Sequence, residues 1–323
     1  MKHFSRGIVL KALLIAVSVA VMGMIAGCTS GLAEPFDLNN LFFEYDTVSG
    51  SDGQYIIITK HIASQSDVKI PDAIYGIPVR EVADSVFAGD NMIKTVTFGK
   101  NMRFIRSNAF GNCPHLQSVT FNVSMSDIGD YAFKDCAALS SVSLSQNIDS
   151  VGRGAFYGCK ALSEVTVPDT IASVGGRAFA DTAWLDAQSQ EAFVTLGDGI
   201  LIAYNGSKTA VKLPKEIKQI SAAFAGNATV ESVALKNGII SIGDMAFMGS
   251  SSLKSVNIPS TVTSIGSNAF YGCTSLEKII IGENVKSIGS DTFTNCTAAI
   301  YVKKGSYAEQ YCTQNGLDYL LAK

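Results

Sequence analysis

Large apolar residues recur along this chain at intervals of 23 positions. Phe stands at positions 87, 110, 133, 156 and 179, and again at 224, 247, 270 and 293. The interval between Phe179 and Phe224 equals one 22-residue and one 23-residue unit whose middle Phe is missing. A repeat of this length predicts a solenoid of stacked turns, so the chain length of 323 residues does not by itself imply two domains.

Each unit also contains an apolar-x-apolar segment, of which Val119-Thr120-Phe121 is an example. This alternation has the period of a β-strand, with the flanking side chains directed into the core and the middle one outward. Units of roughly 20–29 residues with such a strand and a small polar residue at a fixed place are typical of leucine-rich repeats. We therefore expect an α/β solenoid over residues 79–300, a leucine-rich-repeat stack of about nine or ten 23-residue turns with short parallel strands.

The ends of such a stack must be covered, because each turn is stabilised by its neighbours. Residues 36–78 predict an N-terminal β-hairpin cap, in which strands at Phe42–Val48 and Tyr55–Lys60 flank a Ser-Asp-Gly turn. Residues 301–323 predict a C-terminal helical cap that begins with a capping box at Ser306. Phe87, beside the N-terminal cap, is expected to be packed on one side only.

Residues 183–210 interrupt the repeat. The only Trp of the chain, Trp184, opens this segment, and apolar runs at Phe193–Leu196 and Ile200–Tyr204 flank a Gly-Asp-Gly turn. We interpret the segment as a hairpin-like variant turn within the stack. It is either a binding loop or a packing variant that keeps the solenoid continuous, and the retained spacing of the Phe residues favours the packing variant.

The first residues have the features of an export signal. A basic head with Lys2, Arg6 and Lys11 precedes an apolar stretch at Ala12–Ile25, which predicts a signal peptide over residues 1–27. The sequence Ile-Ala-Gly-Cys that ends at Cys28 resembles a bacterial lipobox, in which the Cys thiol receives lipid. Residues 28–35 would then form the lipidated Cys and a short linker. The alternative is an ordinary signal peptide with a nearby Cys.

Five of the seven Cys residues share the position three residues after the Phe, which Asp, Asn, Ser and Thr occupy in other units. They are Cys113, Cys136, Cys159, Cys273 and Cys296. All of these residue types are small and can form hydrogen bonds with backbone groups. We interpret them as a structural ladder of free, buried thiols. Disulfides between stacked Cys residues and a metal site are the alternatives, but the spacing contains no C-x-x-C cluster.

Composition and charge exclude several functions. Hydrophobic residues make up 47% of the chain, which excludes global disorder, and a net charge of −3 without a Lys/Arg run argues against nucleic acid as a partner. No nucleophile elbow, P-loop or metal motif is present, and only His61 and His115 follow the signal peptide. We therefore expect no enzymatic activity, no cofactor and no metal.

The outward positions of the predicted strands are the candidate binding residues. They form a row of small polar side chains on the predicted concave face, accompanied by two charged residues placed two positions earlier in their strands. The row contains Thr97, Thr120, Ser143, Thr166 and Asn257, and the charged residues are Glu164 and Lys278. A surface this poor in charge predicts a protein or glycan ligand that is bound through shape and short hydrogen bonds.

The repeat resembles that of the BspA-like leucine-rich-repeat surface proteins. The pattern I-G-x-x-A-F-x-x-C-x-x-L-x-x-V-x-[IL]-P is carried mainly by Ile265-Gly266, Ala269-Phe270, Cys273, Leu276 and Ile279, and the resemblance covers about residues 40–323. It implies a cell-surface location and a role in adhesion to host matrix proteins or to other cells. We therefore expect a monomeric, exported lipoprotein that is anchored to the bacterial membrane, exposed at the cell surface and binds an extracellular or envelope protein or glycan. The alternative is a non-catalytic scaffold within a cell-envelope complex.

Overall fold

The computed structural model describes residues 42–63 and 65–322. The predicted signal peptide, Cys28 and the linker lie outside these residues. Within them the chain winds into a parallel β-solenoid of about 12 turns with few helices, consistent with a leucine-rich-repeat stack. This number exceeds the nine or ten turns expected from the Phe residues, because strands near both ends also join the stack without a Phe of their own. No helix in the described part of the chain is long and apolar enough to span a membrane.

Two rows of short strands run along the solenoid. Row A lies before the Phe of each turn and contains β1 (Phe43–Gly50), β2 (Gly53–His61), β4 (Ala73–Ile74), β5 (Ile77–Val82), β7 (Phe104–Ile105), β9 (Asp127–Ile128), β11 (Ser150–Val151), β13 (Ser173–Val174), β14 (Phe193–Leu196), β15 (Ile200–Tyr204), β17 (Gln219–Ile220), β19 (Ser241–Ile242), β21 (Ser264–Ile265) and β23 (Ser287–Ile288). Most neighbours are parallel, whereas β1–β2, β4–β5 and β14–β15 are antiparallel.

Row B is formed by the apolar-x-apolar segments. It contains β3 (Asp67–Ile70), β6 (Thr95–Phe98), β8 (Ser118–Thr120), β10 (Ser141–Ser143), β12 (Glu164–Thr166), β16 (Ala210–Lys212), β18 (Ser232–Ala234), β20 (Ser255–Asn257), β22 (Lys278–Ile280), β24 (Ala299–Val302) and β25 (Tyr319–Leu321). The strands pair in parallel, so equivalent residues of successive turns are neighbours, as Val96 and Val119 are. The described helices are α1 (Ala183–Ala187) and α2 (Tyr307–Gln314).

The Phe residues lie in a third side of the solenoid that consists of tight turns. The N–H groups of alternate residues donate to carbonyls of the next turn, as Phe110 does to Ala132 at 2.7 Å. The Phe rings stack nearly parallel inside, with 5.2 Å between the centroids of Phe110 and Phe133. The residues two before and two after the Phe have positive φ, such as 58° at Asn112, which explains why Asn, Asp and Gly are frequent there.

Residues 183–210 divide the solenoid into two stacks. The buried core of the N-terminal stack extends from Phe43 to Ile200, and a second core, that of the C-terminal stack, begins at Leu201. Row A is interrupted between β13 and β14, and row B between β12 and β16, where α1 follows in place of a strand. Row B also lacks strand pairing between β8 and β10, although these two strands remain in contact. The hairpin β14–β15 has the predicted bounds. The even spacing of the Phe residues therefore does not produce a continuous hydrogen-bonded ladder.

Both ends are covered by aromatic side chains. Phe43 and His61 of the β1–β2 hairpin pack on Phe87, with ring centroids at 6.2 and 4.8 Å. Phe87 is thus buried from both sides, and the expectation that it is packed on one side only is wrong. At the other end, Ser306 accepts a hydrogen bond from the Glu309 N–H at 3.2 Å, and α2 places the edge of the Tyr311 ring against Phe293.

Candidate binding face and side-chain ladder

Four of the candidate binding residues lie together on row B of the N-terminal stack. Thr97, Thr120, Ser143 and Thr166 are all exposed, at equivalent places on β6, β8, β10 and β12. Thr97 is the register partner of Thr120, and Ser143 is the partner of Thr166. Because side chains alternate along a strand, the neighbouring Val96 and Val142 point into the core. We call this exposed surface the row B face.

The other candidates divide between the two stacks. Glu164 is exposed at the start of β12, opposite Ser141. Asn257 and Lys278 lie on β20 and β22 of the C-terminal stack, and the break between β12 and β16 separates them from the Thr and Ser residues. The Lys278 ammonium lies 4.7 Å from the centroid of the Tyr301 ring, a distance at which a cation–π interaction stabilises both groups.

Sequence reasoning missed one acidic neighbour of this face. Asp67 on β3 accepts a hydrogen bond from the Thr95 hydroxyl at 2.6 Å, and hydrogen bonds from Ser66 and Thr95 lower the pKa of its carboxyl. β3 extends row B by one strand before the first Phe turn, where the 23-residue pattern gives no signal. The row B face therefore carries two acids, Asp67 and Glu164, and one base, Lys69, which is exposed and is the register partner of Thr97.

The predicted ladder has a specific hydrogen-bond geometry. The thiols of Cys113, Cys136 and Cys159 each donate to the Phe carbonyl of the preceding turn at 3.1 Å. Cys273 donates to Phe247 at 3.0 Å, and the Ser250 hydroxyl donates to Phe224 at 2.8 Å. Each of these side chains therefore connects its own turn to the one before it, which explains why Cys and Ser exchange at this position.

Asp90 and Asn227 occupy the same position but act as acceptors. Oδ1 of Asp90 accepts from the Met92 N–H at 2.8 Å, and Oδ1 of Asn227 accepts from the Val230 N–H at 2.8 Å. Each lies in the first Phe turn of its stack, where no preceding Phe carbonyl is available for a donor. The ladder residue thus distinguishes the first turn of a stack from the turns that follow. The shared position was visible in the sequence, but this division was not recognised.

Thr182 occupies the ladder position in the last Phe turn of the N-terminal stack. Its hydroxyl donates to the Phe179 carbonyl of the same turn at 2.7 Å and accepts from the Leu185 N–H as the N-cap of α1. A Thr here ends the regular turn and begins the helix, because a hydroxyl can satisfy one of the free N–H groups of the first helical turn.

The thiols of the described residues are free, and all but Cys296 are buried. Burial raises the pKa of Cys159 and of Cys273 to about 12. Since the thiolate is the reactive form, these residues are poor nucleophiles in the folded protein. Among the described residues, no group of three or more His, Cys, Asp or Glu side chains could hold a metal ion.

The regular turns correspond to a known family. The model of the "BspA type Leucine rich repeat region" matches residues 63–198 and 203–310, in six copies and over more than half of the chain. This chain belongs to the BspA-type leucine-rich repeat family. The interruption of the family match, at residues 199–202, falls at the start of β15, where the solenoid changes from one stack to the other. No curated protein matches the sequence significantly.

Several solved structures are similar to this chain over most of its length. A leucine-rich cell surface protein from Faecalibacterium prausnitzii is 23% identical, with 88% of this chain and 97% of that chain covered and a TM-score of 0.37. A leucine-rich repeat protein from Bacteroides ovatus is 19% identical, with 91% and 100% covered and a TM-score of 0.44. The leucine-rich repeat protein of T. pallidum is 20% identical, with 87% and 96% covered and a TM-score of 0.37.

Proposed function

We propose that this protein is a membrane-anchored surface lipoprotein of a bacterium that binds a protein or a glycan through the row B face, without catalysis and without a cofactor. The observation that supports the binding site is the set of exposed hydroxyls at Thr97, Thr120, Ser143 and Thr166, which lie on successive strands that contact one another. Repeat proteins commonly use such extended surfaces for binding.

The chemistry of this face favours recognition at short range. Ser and Thr hydroxyls both donate and accept hydrogen bonds, and they suit the polar groups of a peptide backbone or a sugar. The N-terminal part of the face carries few charges, so long-range electrostatic attraction contributes little to association. We therefore expect the affinity for the ligand to change little between low and physiological salt concentration.

The anchoring part of the proposal rests on the sequence around Cys28. A basic head, an apolar stretch and a lipobox-like sequence occur in the required order within residues 1–28. Acyl chains on the Cys28 thiol would hold the protein at a membrane, since each buried methylene contributes about 0.8 kcal/mol. Metabolic labelling with a fatty acid tests this step, and a Cys28→Ser variant should lose the label.

The binding site can be tested by placing charge on the face. A variant with Thr120→Arg, Ser143→Arg and Thr166→Arg should lose binding to any extracellular-matrix protein or glycan that an array identifies for the unaltered protein. The expected fold is unchanged, because these three side chains point away from the core. Binding by the folded triple variant at unaltered affinity would contradict the proposed site.

A charge-matched control excludes a general effect of added Arg. Val123, Gln146 and Ala172 are exposed and lie outside both strand rows, so Arg at these three positions adds the same charge elsewhere. This control should bind like the unaltered protein. Protease treatment of intact cells tests the location: removal of the protein supports surface exposure, whereas full protection indicates a scaffold inside the envelope.

A further inference from the structure

A cavity of about 510 Å³ lies between the two stacks, on the side of the Phe turns. It occurs where the missing Phe would have stood, because the chain there forms the β14–β15 hairpin and does not complete another tight turn. Its apolar lining includes Phe179, Leu185 and Ile202 from the N-terminal side and Ala225 from the C-terminal side, and Tyr204 lies between them. We call this cavity the junction slot.

The two stacks are in direct contact beside the slot. The Ser221 hydroxyl donates to the Val174 carbonyl at 2.6 Å, and the Gln219 side chain donates to the Ala172 carbonyl at 2.7 Å. A Cβ atom at Gly176 would lie only 2.4 Å from the carbonyl oxygen of Asp244. The slot is therefore closed at this corner, and these contacts hold its two walls together.

One wall of the slot presents unused hydrogen-bond donors. In the preceding turn, the N–H groups of Gly154, Phe156 and Gly158 donate to the next turn at 3.0, 2.8 and 3.0 Å. The equivalent N–H groups here are those of Arg177, Phe179 and Asp181, and none of them has an acceptor among the described residues. These N–H groups lie at the end of the N-terminal stack beside the slot, where a bound segment could accept from them.

The opposite wall presents unused acceptors. In regular turns, the carbonyls next to the Phe accept from the turn before, as Ala246 does from Phe224 at 3.0 Å. At the slot, the Ala223 carbonyl accepts from the Tyr204 N–H, but no N–H of the described residues donates to the carbonyls of Ser221 and Ala225. The slot thus has donors on one side and acceptors on the other.

We propose that the junction slot binds a peptide segment of a partner protein, whose backbone takes the place of the missing turn. Its carbonyls would accept from the N–H groups of Phe179 and Asp181, and its own N–H would donate to the Ala225 carbonyl. An apolar side chain of the segment would lie against Phe179 and Leu185. This is recognition by addition to an incomplete hydrogen-bond ladder.

The arrangement of the donors favours a peptide over an anion. In regular turns the equivalent N–H groups belong to alternate residues, such as Asn108, Phe110 and Asn112. Each of these N–H groups donates to a different carbonyl of the neighbouring turn. They do not converge on one point, as the donors around a single anion must. A peptide backbone supplies carbonyls at the same two-residue interval.

The residue that follows the Phe is small on both walls of the slot. This position holds Ala180 on one wall and Ala225 on the other. In the other turns it accepts small residues, as at Ala88 and Gly111, as well as large ones, as at Lys134, Tyr157, Met248 and Tyr271. A large side chain at this position is therefore compatible with the turn, and Ala at both walls leaves space for a ligand. Substitution by Tyr should fill the slot without disturbing the fold.

A peptide copied from a regular turn is the probe. The sequence Gly-Asp-Tyr-Ala-Phe-Lys-Asp, residues 129–135, supplies the carbonyls that the Phe110 turn uses. In the free full-length protein, the amides of Arg177, Phe179 and Asp181 should exchange hydrogen much faster than those of Tyr131, Phe133 and Asp135. The peptide should slow the exchange of the Phe179 and Asp181 amides. A peptide methylated at the nitrogen of its last Asp, whose N–H would donate to the Ala225 carbonyl, should bind more weakly.

Variants separate occupancy of the slot from a general effect on stability. Ala180→Tyr and Ala225→Tyr should each weaken peptide binding at least about tenfold, because the new ring occupies the ligand's place. Lys134→Tyr makes a comparable change in the middle of the N-terminal stack and should bind the peptide normally. All three variants should unfold at nearly the same denaturant concentration as the unaltered protein.

Three results would overturn the proposal: slow exchange of the Phe179 and Asp181 amides in the free protein, failure of the peptide to bind, or unchanged binding by both Ala→Tyr variants. The Arg triple variant of the row B face should still bind the peptide. Its behaviour shows that the slot and the row B face are independent, so failure of one proposal leaves the other intact.

Discussion

Replacing Phe133 with Ala should cost more stability than the same change at any edge of the stack. The Phe133 ring is fully buried and stacks on Phe110 and Phe156, with centroids at 5.2 and 5.4 Å. Removal of such a ring leaves a sealed cavity and typically costs about 3–5 kcal/mol. Because turns on both sides constrain the site, little collapse is possible, and we expect a loss near the upper end of that range.

Phe179 provides the matched control. It stacks on Phe156 at 5.3 Å, but its other face meets the edge of Trp184 and borders the junction slot. The space left by Phe179→Ala would be continuous with the slot and open to water, so the loss should be smaller by about 1 kcal/mol or more. Urea unfolding followed by circular dichroism measures both changes. An equal or larger loss at Phe179 would refute this account of the stack.

Two further outcomes can be measured on the same protein. A thiol reagent should modify the buried ladder residues, such as Cys136 and Cys159, only after the protein is unfolded. In the folded protein, the half-buried Cys296 should react first. A disulfide between Cys113 and Cys136 would disprove the ladder of free thiols. Burial lowers the pKa of His61 below its usual 6.5 despite the nearby Asp90. The contribution of His61 to the free energy of unfolding should therefore be complete above about pH 6.5 and decrease as the pH falls from there through the folded-state pKa. In a His61→Phe variant, the urea midpoint should no longer show this decrease.

The sequence predicted those features that depend on local pattern. The 23-residue interval identified the Phe stack, the alternation in segments such as 119–121 identified row B, and the Gly-Asp-Gly turn placed the β14–β15 hairpin. The outward position of Thr120 followed from strand geometry alone. Each of these depends on residues close in sequence or on a repeated position, which is the information a single sequence contains.

Other features depend on which groups meet across turns, and the sequence did not reveal them. The spacing of Phe179 and Phe224 preserves the count of residues, but the residues between them form a helix and a hairpin, so the hydrogen-bond ladder breaks. The burial of Phe87 required knowledge that Phe43 and His61 pack on it. The candidate residues Asn257 and Lys278 matched the strand pattern, but their separation from Thr166 depends on the break between β12 and β16.

The hydrogen bonds of the ladder also govern how such a protein can change in length. Each interior Cys or Ser donates to the Phe carbonyl of the turn before it, and every Phe turn presents this carbonyl at the same place. A whole 23-residue unit between Cys113 and Cys159 can therefore be duplicated or deleted, and every donor still has an acceptor. Loss of the unit that carries Asp90 or Asn227 is different, because a Cys or Ser would become the first of its stack and have no carbonyl to meet. Gene duplication can therefore lengthen either stack from within, whereas the unit that starts each stack is fixed.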